Sequence, residues 1–268
     1  MSVLTRLWDH VYASQPAPPA WVVGVTALAA LLLVLNTASW RLAGKVITIA
    51  HEGGHALVSV LSGRRLDGIR LHSDSSGVTY SRGKRRGPGL VLTAAAGYLT
   101  PPLLGAGAAA LLAARHPAAL LLAERHLTAM LWLALVLLAA TFLAIRNLFG
   151  ALAVLVTAGG VFLVSYYASA AVQAGFAYLA VWFLLFGGLR PVVELARGSW
   201  GSAGASGSSG RRQRWTRGSD AEQLARLTGA PAGLWISLFV MVALAALIAG
   251  VALLVPPGWH LGFPSVNS

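Results

Sequence analysis

The chain has 268 residues, 57% of them hydrophobic and 10% charged, with 20 lysines and arginines against 8 acids and a formal net charge of +12. A soluble domain carries about a quarter charged residues, so an ordinary soluble fold is excluded, and the mean hydropathy of +0.71 agrees. The lack of cysteine rules out disulfides and thiolate metal sites, and basic residues that lie mainly in the gaps between apolar runs, with no series of stacking aromatics among them, argue against a nucleic-acid partner.

In chain order, the opening MSVLTRLWDHVYASQPAPPAW lacks the short apolar core and small-residue cleavage site of a secretory signal. The first apolar run is therefore expected to stay as an anchor. A helical crossing needs roughly 20 apolar residues, within about 17–25. Seven runs qualify, at about 21–38, 43–62, 89–113, 127–145, 148–165, 170–188 and 232–255. Loop 63–88 holds Arg64, Arg65, Arg70, Arg82, Lys84, Arg85 and Arg86, and segment 189–231 is also arginine-rich, whereas loop 166–169 and the tail from Pro256 carry no charge. With both basic segments in the cytoplasm the seven spans alternate, the N-terminus is cytoplasmic and the C-terminus external, and Arg41 and Lys45 are the exceptions.

Two connections carry further signals. "RRLDGIRLHSDSSGVTYSR" reads as two short strands joined by a turn at Asp74-Ser75-Ser76-Gly77, a small β-hairpin on the cytoplasmic side. "GSWGSAGASGSSGRRQRWTRGS" reads as a flexible linker with a basic end. That end serves as an orientation signal or rests on anionic headgroups.

The second run contains His51-Glu52-Gly53-Gly54-His55. On a helix the two imidazoles fall on one face, one turn apart, where their nitrogens suit a zinc ion at about 2.0–2.1 Å. Glu52 then stands beside the metal, placed to take a proton from a water and return it to a leaving amine. A lone imidazole on an apolar face is ordinarily a satisfied core residue. A charged side chain at the bilayer centre, however, costs about 2.5–3.5 kcal/mol, so three ionisable groups in five residues call for a partner such as a metal. This is the zinc metalloprotease pattern. Gly53 and Gly54 would let a neighbouring helix or substrate come close. His55 lies about 12 Å below the cytoplasmic end of the span, at about 1.5 Å per residue, which implies a cavity open to the cytoplasm.

The motif, the basic hairpin after it, the returning span with "AAAGYLTPPLLG" and the next span ending in "RNLFG" resemble the site-2 protease family of intramembrane zinc metallopeptidases, and most of all its small bacterial relatives. The resemblance covers about 43–165 as core and less closely 219–240. It implies an integral protein of a bacterial plasma membrane that uses Zn2+ to hydrolyse peptide bonds in or near the transmembrane segments of membrane-protein substrates. The family's third ligand is an aspartate just after an Asn-x-x-Pro element. Here Asn147-Leu148-Phe149 is followed by Gly150 and an acid-free stretch.

Catalytic zinc normally has three protein ligands. Asp9, Glu124 and Glu194 lie near loop ends, and Asp67 and Asp74 in the hairpin. Asp220, opening "SDAEQLARLTGAP", is the first candidate, although Ser219-x-x-Glu222 is also a capping box that favours an acid at this place for its own reasons. Asn147 is next, as a weak oxygen ligand or a hydrogen-bond donor to a substrate strand, and His72 follows. Arg146 reads as an interface anchor.

The expected architecture is an all-α polytopic membrane protein of about seven transmembrane helices with a small hairpin. It divides into a tail and anchor helix (1–42), a metalloprotease-like core (43–165), an additional helix (166–197), a linker (198–218), and a short helix with the last span (219–268). Two rivals stand beside the enzyme. One is a catalytically inactive scaffold or regulator of the same fold, suggested by the missing Asn-x-x-Pro element; the intact Glu52 argues against it. The other is a transporter, which calls for paired interrupted helices in two similar halves that the sequence lacks.

Overall fold

The computed structural model describes residues 18–113, 126–203 and 218–255. The N-terminal tail, most of the expected linker, Glu124 and the C-terminal tail lie outside the described residues. The elements in order are α1 (Ala20–Leu35), α2 (Thr37–Leu61), β1 (Arg65–Leu71), β2 (Gly77–Arg82), α3 (Pro88–Ala113), α4 (His126–Ala144), α5 (Leu148–Tyr167), α6 (Ala170–Ala203), α7 (Asp220–Thr228) and α8 (Ala232–Leu254).

Among the described residues, four helices are long and apolar enough to cross a membrane: α3, α5, α6 through Gly198, and α8. A fifth crossing arises if α1 and α2, bent by 102° at their junction, count as one. The described side chains of α4 form a shorter apolar helix, Ala129–Ala144. The expected seven therefore stand at four or five. The two leading runs do not part at a loop near 39–42, because the chain is already helical there. They part at Asn36, whose side chain accepts hydrogen bonds from the Ala38 and Ser39 amides at 2.8 and 3.1 Å and so starts a new helix. The far end of α6 also continues to Ala203, into the stretch expected as linker.

The hairpin falls where the turn residues place it, with Ser75 at φ +67° and the His72 amide bonded to the Ser76 carbonyl at 2.8 Å. It folds back along α2, so that Lys45 Nζ donates to Ser73 O at 2.7 Å and Thr48 Oγ1 to Ser75 O at 2.9 Å. Thr48 lies about 20 Å from the end of α2 at about 1.5 Å per residue. The physical reason is its apolar face. Ile69 and Leu71 are buried in a cluster with Ile49, Ala56, Ala144, Ile145 and Val154, and burying such side chains contributes about 1.5–3 kcal/mol each.

The short α4–α5 break seals the outer edge of β1. Ile69 bridges Ile145, and the Arg146 amide donates to Ile69 O at 2.8 Å. Among the described residues the backbone of β2 bonds only to β1, which leaves its second edge open. A larger core joins α1, α3, α4 and α6 through residues such as Ala30, Ala109, Leu131 and Val181. A third cluster packs α7 and α8 on α3 and α6 through Leu224, Phe239, Ala94 and Val192.

Candidate metal centre

The HEGGH stretch lies in the second half of α2, facing α3. Close approach is possible because both helices present glycine. A methyl on Gly54 would overlap Thr100, and one on Gly97 would overlap the Nε2 atoms of both His51 and His55. The two Nε2 atoms lie 3.2 Å apart, with the rings edge to face at 4.8 Å. His55 is buried, and its Nδ1–H donates to the Thr93 carbonyl at 2.6 Å. That bond fixes the tautomer and turns the Nε2 lone pair toward His51. His51 rests edge-on against Tyr98 at 4.8 Å, and Tyr98 stacks on Phe239 of α8 at 5.2 Å.

Asp220 reaches the same point from the far end of the chain. Ser219 accepts from the Glu222 amide at 3.4 Å while Glu222 Oε2 accepts from the Gly218 amide at 3.0 Å, the reciprocal capping box. Ala221 and Leu224 are fully buried against α3 and α8. The helix so anchored turns its first residue onto the imidazoles, with Asp220 Oδ2 3.2 Å from His51 Nε2 and 3.2 Å from His55 Nε2. Asp220 is thus both the first residue of α7 and the carboxylate lying against the two imidazoles.

The trio suits a cation. Oδ2 of Asp220 is buried and no hydrogen-bond donor reaches it among the described residues. His51, His55 and Asp220 form a cluster able to hold a metal ion, with all three pairs of donor atoms 3.2 Å apart. Donors that share a four-coordinate zinc at about 2.0–2.1 Å stand about 3.3–3.4 Å from one another. The set of two imidazoles and a carboxylate suits zinc, although donor type alone does not single out one metal.

Glu52 stands beside the trio, not in it. It is 4% exposed and accepts a hydrogen bond from Thr79 Oγ1 of β2 at 2.7 Å. A cavity of about 450 Å³ adjoins all four side chains. Its wall includes five consecutive residues of β2, Gly77–Ser81, together with Tyr98 and Gln223. Successive side chains of a strand point to opposite faces, so a strand that lines a cavity residue after residue presents its backbone edge to it.

The other candidates are placed elsewhere. Asn147 neither joins the cluster nor lines the cavity. Its Nδ2 donates to Leu71 O at 2.7 Å and its Oδ1 accepts from Leu71 N at 3.1 Å, so its amide is consumed in bracing β1. A methyl on Gly150 would strike Asn147 Oδ1, which accounts for glycine where the resemblance expects proline. Arg146 turns its guanidinium back onto the Leu143 and Ile145 carbonyls. His72 and Asp74 close the hairpin turn. Asp67 pairs with Arg82 at 2.7 Å, which holds its exposed carboxyl below the usual range. Thr79, Thr93 and Tyr98 carry no recognisable sequence signal; the proximity of Gly97 to the site was readable only from its place in the returning span.

The sequence model of one protein family, described as Peptidase M50B-like, matches residues 24–250. No curated protein and no solved structure matches the chain.

Proposed function

The chain belongs to the Peptidase M50B-like family, the site-2 protease group that its motifs resemble, and on that premise we propose that it is a zinc-dependent intramembrane metalloprotease. Its substrates are membrane proteins, cut in or near their transmembrane segments. The observation that carries this reading is the convergence of three acceptor atoms, His51 Nε2, His55 Nε2 and Asp220 Oδ2, beside a buried glutamate that is not one of them. Metal storage or a structural site has no use for that fourth group.

Zinc bound by His51, His55 and Asp220 would polarise the scissile carbonyl and make water acidic enough to react near neutral pH. Glu52 takes the proton from the attacking water and delivers it to the leaving amine. The Thr93 carbonyl keeps the Nε2 of His55 free for the metal. The open edge of β2 receives the substrate as an added strand, which needs the scissile segment unwound from helix to extended chain and satisfies its backbone groups in the process.

The arginines of 63–88 support a cytoplasmic position for this end of the bundle, in a bacterial plasma membrane as the resemblance implies. If α1 and α2 cross separately the N-terminus is cytoplasmic too; if they form one bent crossing it is external. Accessibility of a cysteine introduced near the N-terminus distinguishes these.

The test is metal analysis of the detergent-purified protein together with cleavage of a reconstituted transmembrane substrate. About one zinc per chain and cleavage are expected for the wild type, zinc without cleavage for Glu52→Gln, and neither for His55→Ala. A zinc-loaded wild type that cleaves none of a broad set of transmembrane peptides would instead support an inactive scaffold.

A further inference from the structure

We propose that Thr79 is a positioning residue for Glu52: its hydroxyl holds the carboxylate in the orientation the reaction requires, so that the strand offering its edge to the substrate also aims the general base. The inference rests on the function proposed above.

The contact is direct. Thr79 Oγ1 lies 2.7 Å from Glu52 Oε2 and 3.1 Å from the Glu52 carbonyl oxygen. A hydroxyl has one proton to donate, and the shorter, charged acceptor takes it. Among the described residues no other hydrogen bond reaches the Glu52 carboxylate, and the side chain is buried. Without Thr79 its three rotatable bonds would be constrained by packing alone. The opposite flank is set by Gly77, where a methyl would come within 2.6 Å of Glu52 Cγ. Two residues of one strand therefore define the slot: Gly77 gives it room and Thr79 supplies the donor.

The slot has a fixed frame. Thr79 pairs with Ile69 across the ladder, Ile69 is fully buried and tied to Ile145 and Arg146, and the hairpin tip is tied to Lys45 and Thr48. A hydroxyl on such a frame is held in place by the bundle. Thr79 also faces the cavity shared by the histidines and Asp220, on the strand whose free edge is turned the same way. A substrate strand pairing there would meet a base already aimed at it.

Thr79→Val keeps the shape and β-branching and removes only the hydroxyl; Thr79→Ser keeps the hydroxyl. In Thr79→Val, kcat on a transmembrane substrate is expected to fall about ten- to hundred-fold, the scale of misplacing a catalytic group by about 1 Å, with KM changed less than about threefold and zinc content unchanged. Thr79→Ser restores most of kcat. Gly77→Ala, which displaces the same carboxylate from the other side, lowers kcat with zinc retained. Equal kcat in wild type and Thr79→Val overturns the inference while leaving the protease reading intact. A second readout needs no turnover. The thermal midpoint in detergent is expected to drop clearly more on Thr79→Val in the Glu52 protein than in Glu52→Ala, where only the backbone carbonyl of residue 52 is left to accept from the hydroxyl. Equal drops in both backgrounds overturn the inference even if the wild type cleaves nothing, an outcome that would separately sink the proposed function.

Discussion

Asp220 Oδ2 and His55 Nε2 lie 3.2 Å apart, yet one opens a short helix near the end of the chain and the other sits in the second helix. The carboxylate of this cluster lies on α7, whereas the resemblance implies one in the helix that follows Asn147. If Asp220 is a metal ligand, Asp220→Ala should remove it while leaving α7 capped by Ser219 and Glu222, at the small cost of one first-turn acid. Loss of an outer hydrogen-bond partner typically lowers metal affinity about 10- to 100-fold; loss of this donor should exceed that. Zinc competition against a chelator measures it, and wild-type affinity in Asp220→Ala would exclude α7 from the site.

Gly97 tests the same site from the opposite wall. A methyl there overlaps both Nε2 atoms, and the backbone of α3 has little freedom to retreat because Gly54 already brings it against α2. Gly97→Ala is expected to abolish zinc binding and cleavage while α3, which gains helix propensity of about 1 kcal/mol, still inserts and folds. Stoichiometric zinc in Gly97→Ala would mean that the imidazoles bind metal with some other geometry.

The motif helix was legible because ionisable groups in an apolar run demand an explanation, and α3, α5 and α8 end within a few residues of their hydropathy limits. Asp220 was legible as one of few acids left, and its capping box was visible as well. What escaped is what hydropathy does not encode. An apolar window reports composition, not direction, so two runs that bend by 102° at Asn36 read like two ordinary crossings. The hairpin's turn was written in Asp74–Gly77, but its docking along α2 depends on Ile69 and Leu71 meeting Ile145 and Val154, partners distant in sequence. Asn147 was singled out for its polarity, and Thr79 was not, because a strand threonine is unremarkable until its neighbour across the fold is known.

Asn147 makes a second bracing prediction. Two hydrogen bonds to Leu71 join the α4–α5 break to β1, each worth about 0.5–1.5 kcal/mol. Asn147→Ala should cost about 1–3 kcal/mol and lower cleavage by loosening the hairpin, with zinc retained. Asn147→Asp should be worse than Ala, since it sets an acceptor against the Leu71 carbonyl. If Asn147→Ala lost zinc and kept its thermal midpoint, the residue would be a ligand and not a brace.

Arg190 has the corresponding role at the α1–α2 junction. Its guanidinium donates to the Val34 carbonyl at the end of α1, pairs with Glu194 at 2.8 Å and lies 4.6 Å over the Trp40 ring of α2. The last carbonyls of a helix have no partner within it, and in an apolar bundle water does not supply one. A planar donor that also stacks on an indole meets both needs, and lysine would not. Glu194 is half exposed, so its share is small. Arg190→Lys and Arg190→Ala are expected to lower stability by about 1–3 kcal/mol, the cost of leaving the carbonyl unsatisfied, while Glu194→Gln changes it by less than about 1 kcal/mol. All three should keep zinc, since His51 and His55 lie about three turns or more along α2 from Trp40 and Asp220 lies on α7. Thermal midpoints of the three variants decide it: an effect of Glu194→Gln as large as that of Arg190→Ala would mean that the ion pair, and not the cap on α1, holds the junction.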